Sequence, residues 1–483
     1  MKRVIAVALA VGLPSVVWAG GFEFPDNGTE ALGRGGAFTA KADSPLAIQY
    51  NLGGLARQRG TKLLFDSNLV FNTYEFTRAG TYPDSPADHP YGGMPFPKVS
   101  NTGGAFYAPF LGLTTDFNKF DRWTFAVGVF GPSSVGNKVY GNVAHSAAGD
   151  VPAPQRYDVV SANLLLFFPT LAASVRVTHW LDVGLALHLA VGIFDLQNTS
   201  TADLGASLCK GSESTACDSA TRIRTNGFSA TAGLGLMFHP SRFIDIGVNV
   251  RGPVVIDSSG TVDAVPPMAA PIPLPQDKAQ FHSHLPWVVR LGIRHKFIGG
   301  YDNFEHGDIE LDGTYEAWSA AEGTGDQVNI PQLGPFSDIN PLLVHHYRDT
   351  FSARLGGAWN ARLPAGVLTL RLGAYFDSSA TKNADTRMDF DTMAKWAGTA
   401  GIGYSVRGVS INVAYAFVWE PDRTVTDGDI QSINGVSGGF TTGQGPTPVV
   451  NNGFYHAQNQ IVSVGLQIAW DQLLKRRKTS DWQ

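Results

Sequence analysis

Five arginines share a placement that suits them to hold an anion. Arg251, Arg290, Arg294, Arg354 and Arg371 each fall on the polar side of a stretch in which apolar and polar residues alternate. A guanidinium presents a forked set of donors that matches a carboxylate, so any of them can meet the head of an amphipathic ligand. Asp245, Glu310 and Asp312 share that polar side, and the simpler reading has most of the arginines bridging to carboxylates of the wall or of the N-terminal segment. Cys209 and Cys217 stand close together in a polar stretch and read as a small loop-closing disulfide of an exported protein. No His or second Cys pair accompanies them, so no metal site is expected there. His345-His346 is a lone pair in a polar stretch, for which solvation is the simpler reading than metal binding. Gly33-Arg34-Gly35-Gly36 has no strand before it and no βαβ unit after it, which excludes a dinucleotide loop. Neither a nucleophile elbow nor a spaced triad stands out. The chain is therefore not expected to be an enzyme, and no catalytic residue, metal or cofactor is assigned.

The elements that must position these side chains are strands. From Thr61 onward the recurring signal is period two, the mark of a strand with one apolar and one polar face. Ile411, Val413, Tyr415, Phe417 and Trp419 oppose Asn412, Ala414 and Ala416; Val462, Val464 and Leu466 oppose Ser463, Gly465 and Gln467. About fourteen such stretches recur, at roughly 61–78, 98–117, 122–132, 158–177, 181–196, 222–238, 243–261, 286–298, 306–318, 348–361, 366–377, 396–405, 409–419 and 459–470. Each is near or above the ~9–11 residues with which a tilted strand crosses a bilayer. Short connections (118–121, 178–180, 239–242, 407–408) alternate with long polar ones (133–157, 197–221, 262–285, 319–347, 420–458), the loop asymmetry of an outer-membrane barrel. Trp123, Trp180, Trp318, Trp359, Trp419 and Trp470 fall at strand ends, as an interfacial belt would. Composition agrees: charged residues are 16% and glycines number 55, a balance suited to half-apolar strands joined by tight turns. The net charge of −5 gives no case for nucleic-acid binding.

The start of the chain reads as an export signal over residues 1–19, with Lys2 and Arg3 before an apolar run and a small-residue cleavage site at Val17-Trp18-Ala19. Residues 20–60 follow, rich in small residues and without sustained periodicity, yet carrying Phe22, Phe24, Leu32, Phe38, Leu46, Ile48, Leu52 and Leu55. In lipid every backbone group must be paired internally, so strands cross only as a closed barrel. A barrel of about fourteen strands has a lumen too wide for its own side chains to fill. Residues 20–60 are the available plug, and a disordered leader is the alternative reading of the same stretch. The expected architecture is thus all-β: a transmembrane antiparallel barrel over 61–470, a plug over 20–60, and a periplasmic extension over 471–483.

The plug sequence carries a resemblance. Gly28, Gly33, Gly36, Ala37 and Ala40, then Ala42-Asp43-Ser44-Pro45 and Gln49-Tyr50-Asn51, are similar to the N-terminal hatch of the FadL/TodX family of outer-membrane channels. Further echoes are Gly235-Leu236 through Ile246-Gly247-Val248 and Arg251, Leu285-Pro286, Tyr315 to Trp318-Ser319, and Arg371-Leu372-Gly373-Ala374-Tyr375. The likeness spans nearly the whole mature chain. Two features depart from it: Asn51 is followed by Leu52-Gly53 where the family commonly has Pro-Ala, and the chain runs beyond Trp470.

The resemblance implies a monomeric channel in the outer membrane of a Gram-negative cell. It would pass long-chain fatty acids or hydrophobic aromatics by passive diffusion, with outer-membrane lipid as its other partner and no nucleic acid. It implies a pocket beside the hatch, for which Phe22, Phe24, Phe38, Asn51, Arg290 and Arg294 are the candidates, and a gap where the third strand bends inward. Gly131-Pro132 falls inside that strand; Pro removes a ladder hydrogen bond and Gly loosens the strand, so either a kink or a strand end is expected there. The stretch 262–275 is apolar for an external loop, and Val265, Met268, Ile272 and Leu274 either form a capture groove or pack against neighbouring loops. A diffusion porin for polar solutes and a sealed structural or adhesin barrel are the alternatives.

Overall fold

The structure, a computed structural model, describes residues 27–84, 90–131, 137–201, 213–268, 271, 273–300, 303–322, 326–333, 336–339, 342–343, 345–431 and 449–474. Among these no helix is long and apolar enough to cross a membrane. Fourteen antiparallel strands form a closed barrel. They are β1 (Lys62–Arg78), β2 (Phe106–Thr115), β3 (Trp123–Phe130), β4 (Ser161–Arg176), β5 (Leu181–Thr201) and β6 (Asp218–Ser241), then β7 in two pieces (Ile244–Arg251, Val254–Val265) and β8 in two pieces (Asp277–Leu285, Val288–Ile298). The wall continues with β9 (Glu305–Glu316), β10 (Thr350–Leu363), β11 (Gly366–Asp377), β12 (Lys395–Val406), β13 (Val409–Val425) and β14 (Gly453–Ala469). Closure comes from β14 pairing with β1 along the whole of β1, from Lys62↔Ala469 to Arg78↔Gly453. No strand edge is left along that seam, as a bilayer requires.

The alternation read from the sequence is the inside–outside alternation of the wall. Ile411, Val413, Tyr415, Phe417 and Trp419 are exposed on the outer face, while Asn412, Ala414 and Ala416 are buried. Trp123, Trp180, Trp359, Trp419 and Trp470 are likewise exposed. Trp318 departs from the expected belt: it is buried, its Nε1 donates to Glu316 Oε2 at 2.6 Å, and it packs on Tyr347 at 5.1 Å.

The connection expected over 262–285 is shorter in the fold, because β7 runs to Val265 and β8 begins at Asp277, paired from Val254↔Leu285 to Val262↔Asp277. On these outer pieces the buried inward side carries apolar residues, Val254, Ile256, Val262, Ala279 and Phe281, and the outward side is mostly polar, the reverse of the wall within the apolar band. Gly252-Pro253 and Pro286 break each strand between its two pieces. Strand Asp326–Leu333 adds to the outer part of β8 through Gln280↔Asn329.

Residues 27–60 form short helices, Thr29–Leu32 and Ala47–Tyr50, and a 3-10 helix, Leu52–Arg57. None is stable alone at such lengths. Ala31, Ile48, Tyr50, Leu52 and Leu55 belong to one buried cluster with inward-facing residues of the wall and of the outer loops, and Leu32 to a second with Val70, Tyr375 and Ile461. At the other end of the chain, helix Trp470–Leu474 follows the short-turn end of β14, and Asp471 accepts hydrogen bonds from Thr61 N (2.5 Å) and Asn118 Nδ2 (2.8 Å). The first residues beyond Trp470 are thus part of the barrel's closure.

Candidate functional site

The N-terminal segment is seated by wall carboxylates and wall glycines together. Three inward-facing acids of β9 reach it. Arg34 lies 2.8 Å from Asp308 and 3.0 Å from Glu310, and all three side chains are fully buried. Burial disfavours the Arg34 charge, yet Asp308 and Glu310 outweigh it and hold the guanidinium above its ordinary value. Asp312 accepts from the amides of Phe38 (2.9 Å) and Thr39 (2.8 Å), and Glu310 accepts from those of Ala40 (2.6 Å) and Lys41 (3.1 Å). On the opposite side, Thr29 Oγ1 donates to Asp66 at 2.6 Å and lies 2.7 Å from Ser463 Oγ.

Elsewhere the backbone of the segment meets glycines of the wall. A Cβ on Gly184 would stand 2.2 Å from Leu52 O, on Gly235 2.5 Å from Gly53 N, and on Gly247 2.2 Å from Thr39 O. One on Gly356 would stand 1.9 Å from Arg34 O, and one on Gly373 2.3 Å from Gly35 N. These positions, on β5, β6, β7, β10 and β11, form a girdle in which only glycine lets two backbones come so close. Gly35 and Gly36 themselves take φ of 67° and 73°, the reversal that turns Arg34 toward β9.

Beside this seat lies an aromatic lining. Phe110 of β2, Phe130 of β3 and Phe168 of β4 all point inward and stack in series, 6.3 Å and then 5.5 Å between centroids. His188 stands edge-on to Phe130 at 5.9 Å and shares a hydrogen bond with Thr170 at 2.8 Å; the Arg251 guanidinium lies over Phe168 at 5.1 Å. The wall here is incompletely laddered among the described residues. β2 pairs with β3 only from Leu111↔Val129 to Thr115↔Phe125, although β2 begins at Phe106. β4 pairs with β3 as far as Phe168, and its next partners are Asn137–Val139, opposite Asn163–Ser161. Pro109, which has no N–H to give, lies in the stretch of β2 without a partner on this side. Gly131 follows the last residue of β3; a Cβ there would stand 2.6 Å from Leu166 O. The N-terminal segment touches this point, since Asn27 Nδ2 donates to Gly131 O at 2.5 Å.

Of the residues singled out in the sequence, Phe38 and Asn51 are fully buried within the seat. Phe38 packs edge-on against Tyr50 at 5.3 Å. Asn51 is committed throughout its amide: Nδ2 donates to Thr39 O and Leu236 O, and Oδ1 accepts from Gly53 N, starting the 3-10 helix that follows. The missing proline is replaced by this cap. Arg290 donates to Gln49 O at 3.0 Å, and Arg294 lies between Asp308 (2.5 Å) and Asp245 (3.4 Å) and also meets Glu305. Arg354 lies 3.4 Å from Asp377, and Arg371 3.2 Å from Glu30. Carboxylates and carbonyls of the wall and the segment thus take up these arginines, the simpler of the two readings above.

Val265 and Met268 are exposed, whereas Leu274 packs against the buried cluster. Val265 ends β7 rather than lying in a loop. Cys217 is buried at the end of the 3-10 turn Thr215–Cys217. Phe22, Phe24, Pro132, Ile272 and Cys209 lie outside the described residues. The aromatic lining was not singled out, although a signal for it exists: Phe110, Phe130 and Phe168 fall on the polar side of their strands by parity, the wrong side for a residue whose only role is to face lipid.

Comparison with known proteins bears on this geometry. The model of the family described as outer membrane protein transport protein (OMPP1/FadL/TodX) matches residues 10–445. No curated protein matches the chain by sequence. Among solved structures, a FadL homologue of Pseudomonas aeruginosa is similar at 14% identity and a TM-score of 0.72, over 93% of this chain and 100% of that one. The toluene transporter TodX of P. putida is similar at 16% identity and a TM-score of 0.64, over 92% of this chain and 98% of that one. The toluene transporter TbuX of Ralstonia pickettii is similar at 15% and 0.64, over the same shares. At such identities these structures speak for the fold. The family model spans nearly all of the barrel and its N-terminal segment, and the chain belongs to the OMPP1/FadL/TodX family of outer membrane transport proteins.

Proposed function

We propose that this protein is a passive, monomeric outer-membrane channel for hydrophobic molecules, either long-chain fatty acids or aromatic hydrocarbons. The observation that carries the reading is the inward-facing series Phe110–Phe130–Phe168 beside the buried N-terminal segment. A lumen meant for polar solutes gains nothing from three stacked rings, whereas an apolar solute leaving water gains roughly 25 cal/mol per Å² of surface covered. Val265, Met268, Ile272 and Leu274 serve as the outer capture surface. Residues 20–60 act as the hatch, and Phe22, Phe24, Phe38, Asn51, Arg290 and Arg294 surround or support the pocket beside it. Solute leaves sideways into the outer membrane at Gly131-Pro132, where β2 has rungs to spare. The names of the similar structures, toluene transporters among them, agree with an apolar cargo.

Uptake by cells lacking the gene, with and without the gene restored, tests the reading. Restored cells should take up radiolabelled oleate or toluene several-fold faster than deleted cells, with no change for a disaccharide of similar mass. Faster disaccharide uptake with no change for either apolar solute would replace this reading by a diffusion porin.

A further inference from the structure

The periplasmic rim carries a cleft that transport of an apolar solute leaves unused. It lies where the turn after β4 meets the end of β6 and the start of β7, and its volume is about 780 Å³. Five basic side chains line it, Arg57, His179, His239, Arg242 and Lys296, together with Trp180 and Phe238. The two rings stack, 6.3 Å apart and 16° from parallel.

The charges of this cleft do not cancel. Its nearest carboxylates, Asp182 and Asp245, are buried behind the basic groups, with side-chain exposures of 0% and 6%. Both are shared. Asp182 accepts from Arg57 at 2.6 Å and from His239 at 3.0 Å, while Asp245 meets His239 at 2.6 Å, Lys296 at 2.8 Å and Arg294 at 3.4 Å. Arg242 has no carboxylate partner among the described residues, and its guanidinium rests on the Phe243 ring at 4.6 Å. Negative charge is therefore buried, Lys296 is largely covered with it, and Arg57 and Arg242 carry positive charge at the open side.

The depth of the cleft identifies its occupant. Trp180 is half-exposed at the short-turn end of the barrel, where aromatic rings sit at headgroup level. Phe238 and Ile246 face outward from the last turns of β6 and the first of β7, along the path an acyl chain would take. Basic groups at headgroup level, with apolar side chains directly toward the bilayer, are the features that hold an anionic lipid. A free phosphate shares the headgroup chemistry but has no use for the rings. We propose that this cleft binds the phosphate headgroup of an anionic phospholipid in the inner leaflet of the outer membrane.

Native mass spectrometry of the full chain in zwitterionic detergent tests this, with phosphatidylglycerol, phosphatidylcholine or inorganic phosphate added separately. One phosphatidylglycerol should be retained in preference to phosphatidylcholine. Arg242→Gln should weaken that retention about fivefold, the effect of removing one cation near a membrane surface, and Arg242→Lys should restore it. Arg407→Gln, on a turn outside the cleft, should leave it unchanged. The heat-dependent gel shift of each variant verifies a folded barrel. Equal retention of the two lipids, an unchanged Arg242→Gln, or loss of the lipid to inorganic phosphate at millimolar concentration would each overturn the proposal, the last by marking a site for free anions.

Discussion

Arg34 and Asp308 lie 274 positions apart in the chain and meet at 2.8 Å with no exposure to solvent. The pair joins the N-terminal segment to β9 inside the barrel, and Glu310 shares the same guanidinium. Removing one member of a buried pair leaves the other's charge uncompensated, at a cost of about 3–5 kcal/mol. Arg34→Gln leaves Glu310 without its cation and Asp308 with Arg294 alone, so the heat-dependent gel shift should occur at a clearly lower temperature than in the wild type. Converting Asp308 to Asn in the same chain should recover part of the loss. A double variant no better than the single one would mean that the two side chains act independently.

The glycine girdle predicts a different outcome from the same seat. Gly356→Val places branched carbon where Arg34 O stands 1.9 Å from a mere Cβ, and Gly184→Val does the same against Leu52 O. The wall strands keep their ladders, since β10 and β11 pair from Ser352↔Asp377 to Leu363↔Gly366 through backbone groups alone. The N-terminal segment is what must move. In planar bilayers these variants should show a larger and noisier single-channel conductance than the wild type, approaching that of a chain lacking residues 20–60. Wild-type conductance in Gly356→Val would show that the segment does not depend on this contact.

The barrel was legible because lipid imposes period two on every strand within the apolar band, as in Ile411 through Trp419. Above that band the constraint lapses. In the outer piece of β8, Ala279 and Phe281 face inward while Lys278, Gln280 and His282 face outward, the reverse of the wall within the band, and the stretch looked like loop. Trp318 was misplaced for the opposite reason: a Trp at a strand end satisfies the belt pattern even when it is buried on Tyr347. The site was harder to read than the wall. A seat built from backbone against glycine leaves no side-chain signature, and an ion pair across 274 positions leaves none in spacing. Parity did contain the aromatic lining, as three phenylalanines on polar faces.

The end of β3 offers a test of the exit route. Gly131→Ala sets a methyl 2.6 Å from Leu166 O, backbone against which little can yield, and Asn27→Ala removes the donor to Gly131 O. Both changes lie outside the ladder that closes the barrel, so the gel shift should be near that of the wild type. If solute leaves at this point, each variant should change the rate of apolar uptake by at least a few-fold while leaving conductance to small ions unaltered. Equal uptake by wild type and both variants would place the exit elsewhere.

The outer loops carry a pH-sensitive contact whose direction can be worked out. Asp158, ahead of β4, accepts from Met388 N at 2.7 Å and lies 3.0 Å from Arg387, so it ties two loops together. Burial pushes its carboxyl up to about 6 despite Arg387, from an ordinary value of 3.8. A packed loop therefore holds a proton between about pH 4 and about pH 6 that a detached loop has released, and packing weakens as the pH rises through that window. Asp389 does not compensate there. Burial opposes its ionisation, but Arg387 and His345 outweigh it and keep it well below the usual carboxylate range, so its contribution is lost only in stronger acid. A nitroxide attached at Lys382→Cys should become more mobile between pH 4.5 and 7.5 in the wild-type background, and its spectrum should be flat with pH when Asp158→Asn is added. Unchanged mobility across the range without Asp158→Asn would show that this carboxyl does not hold the loops.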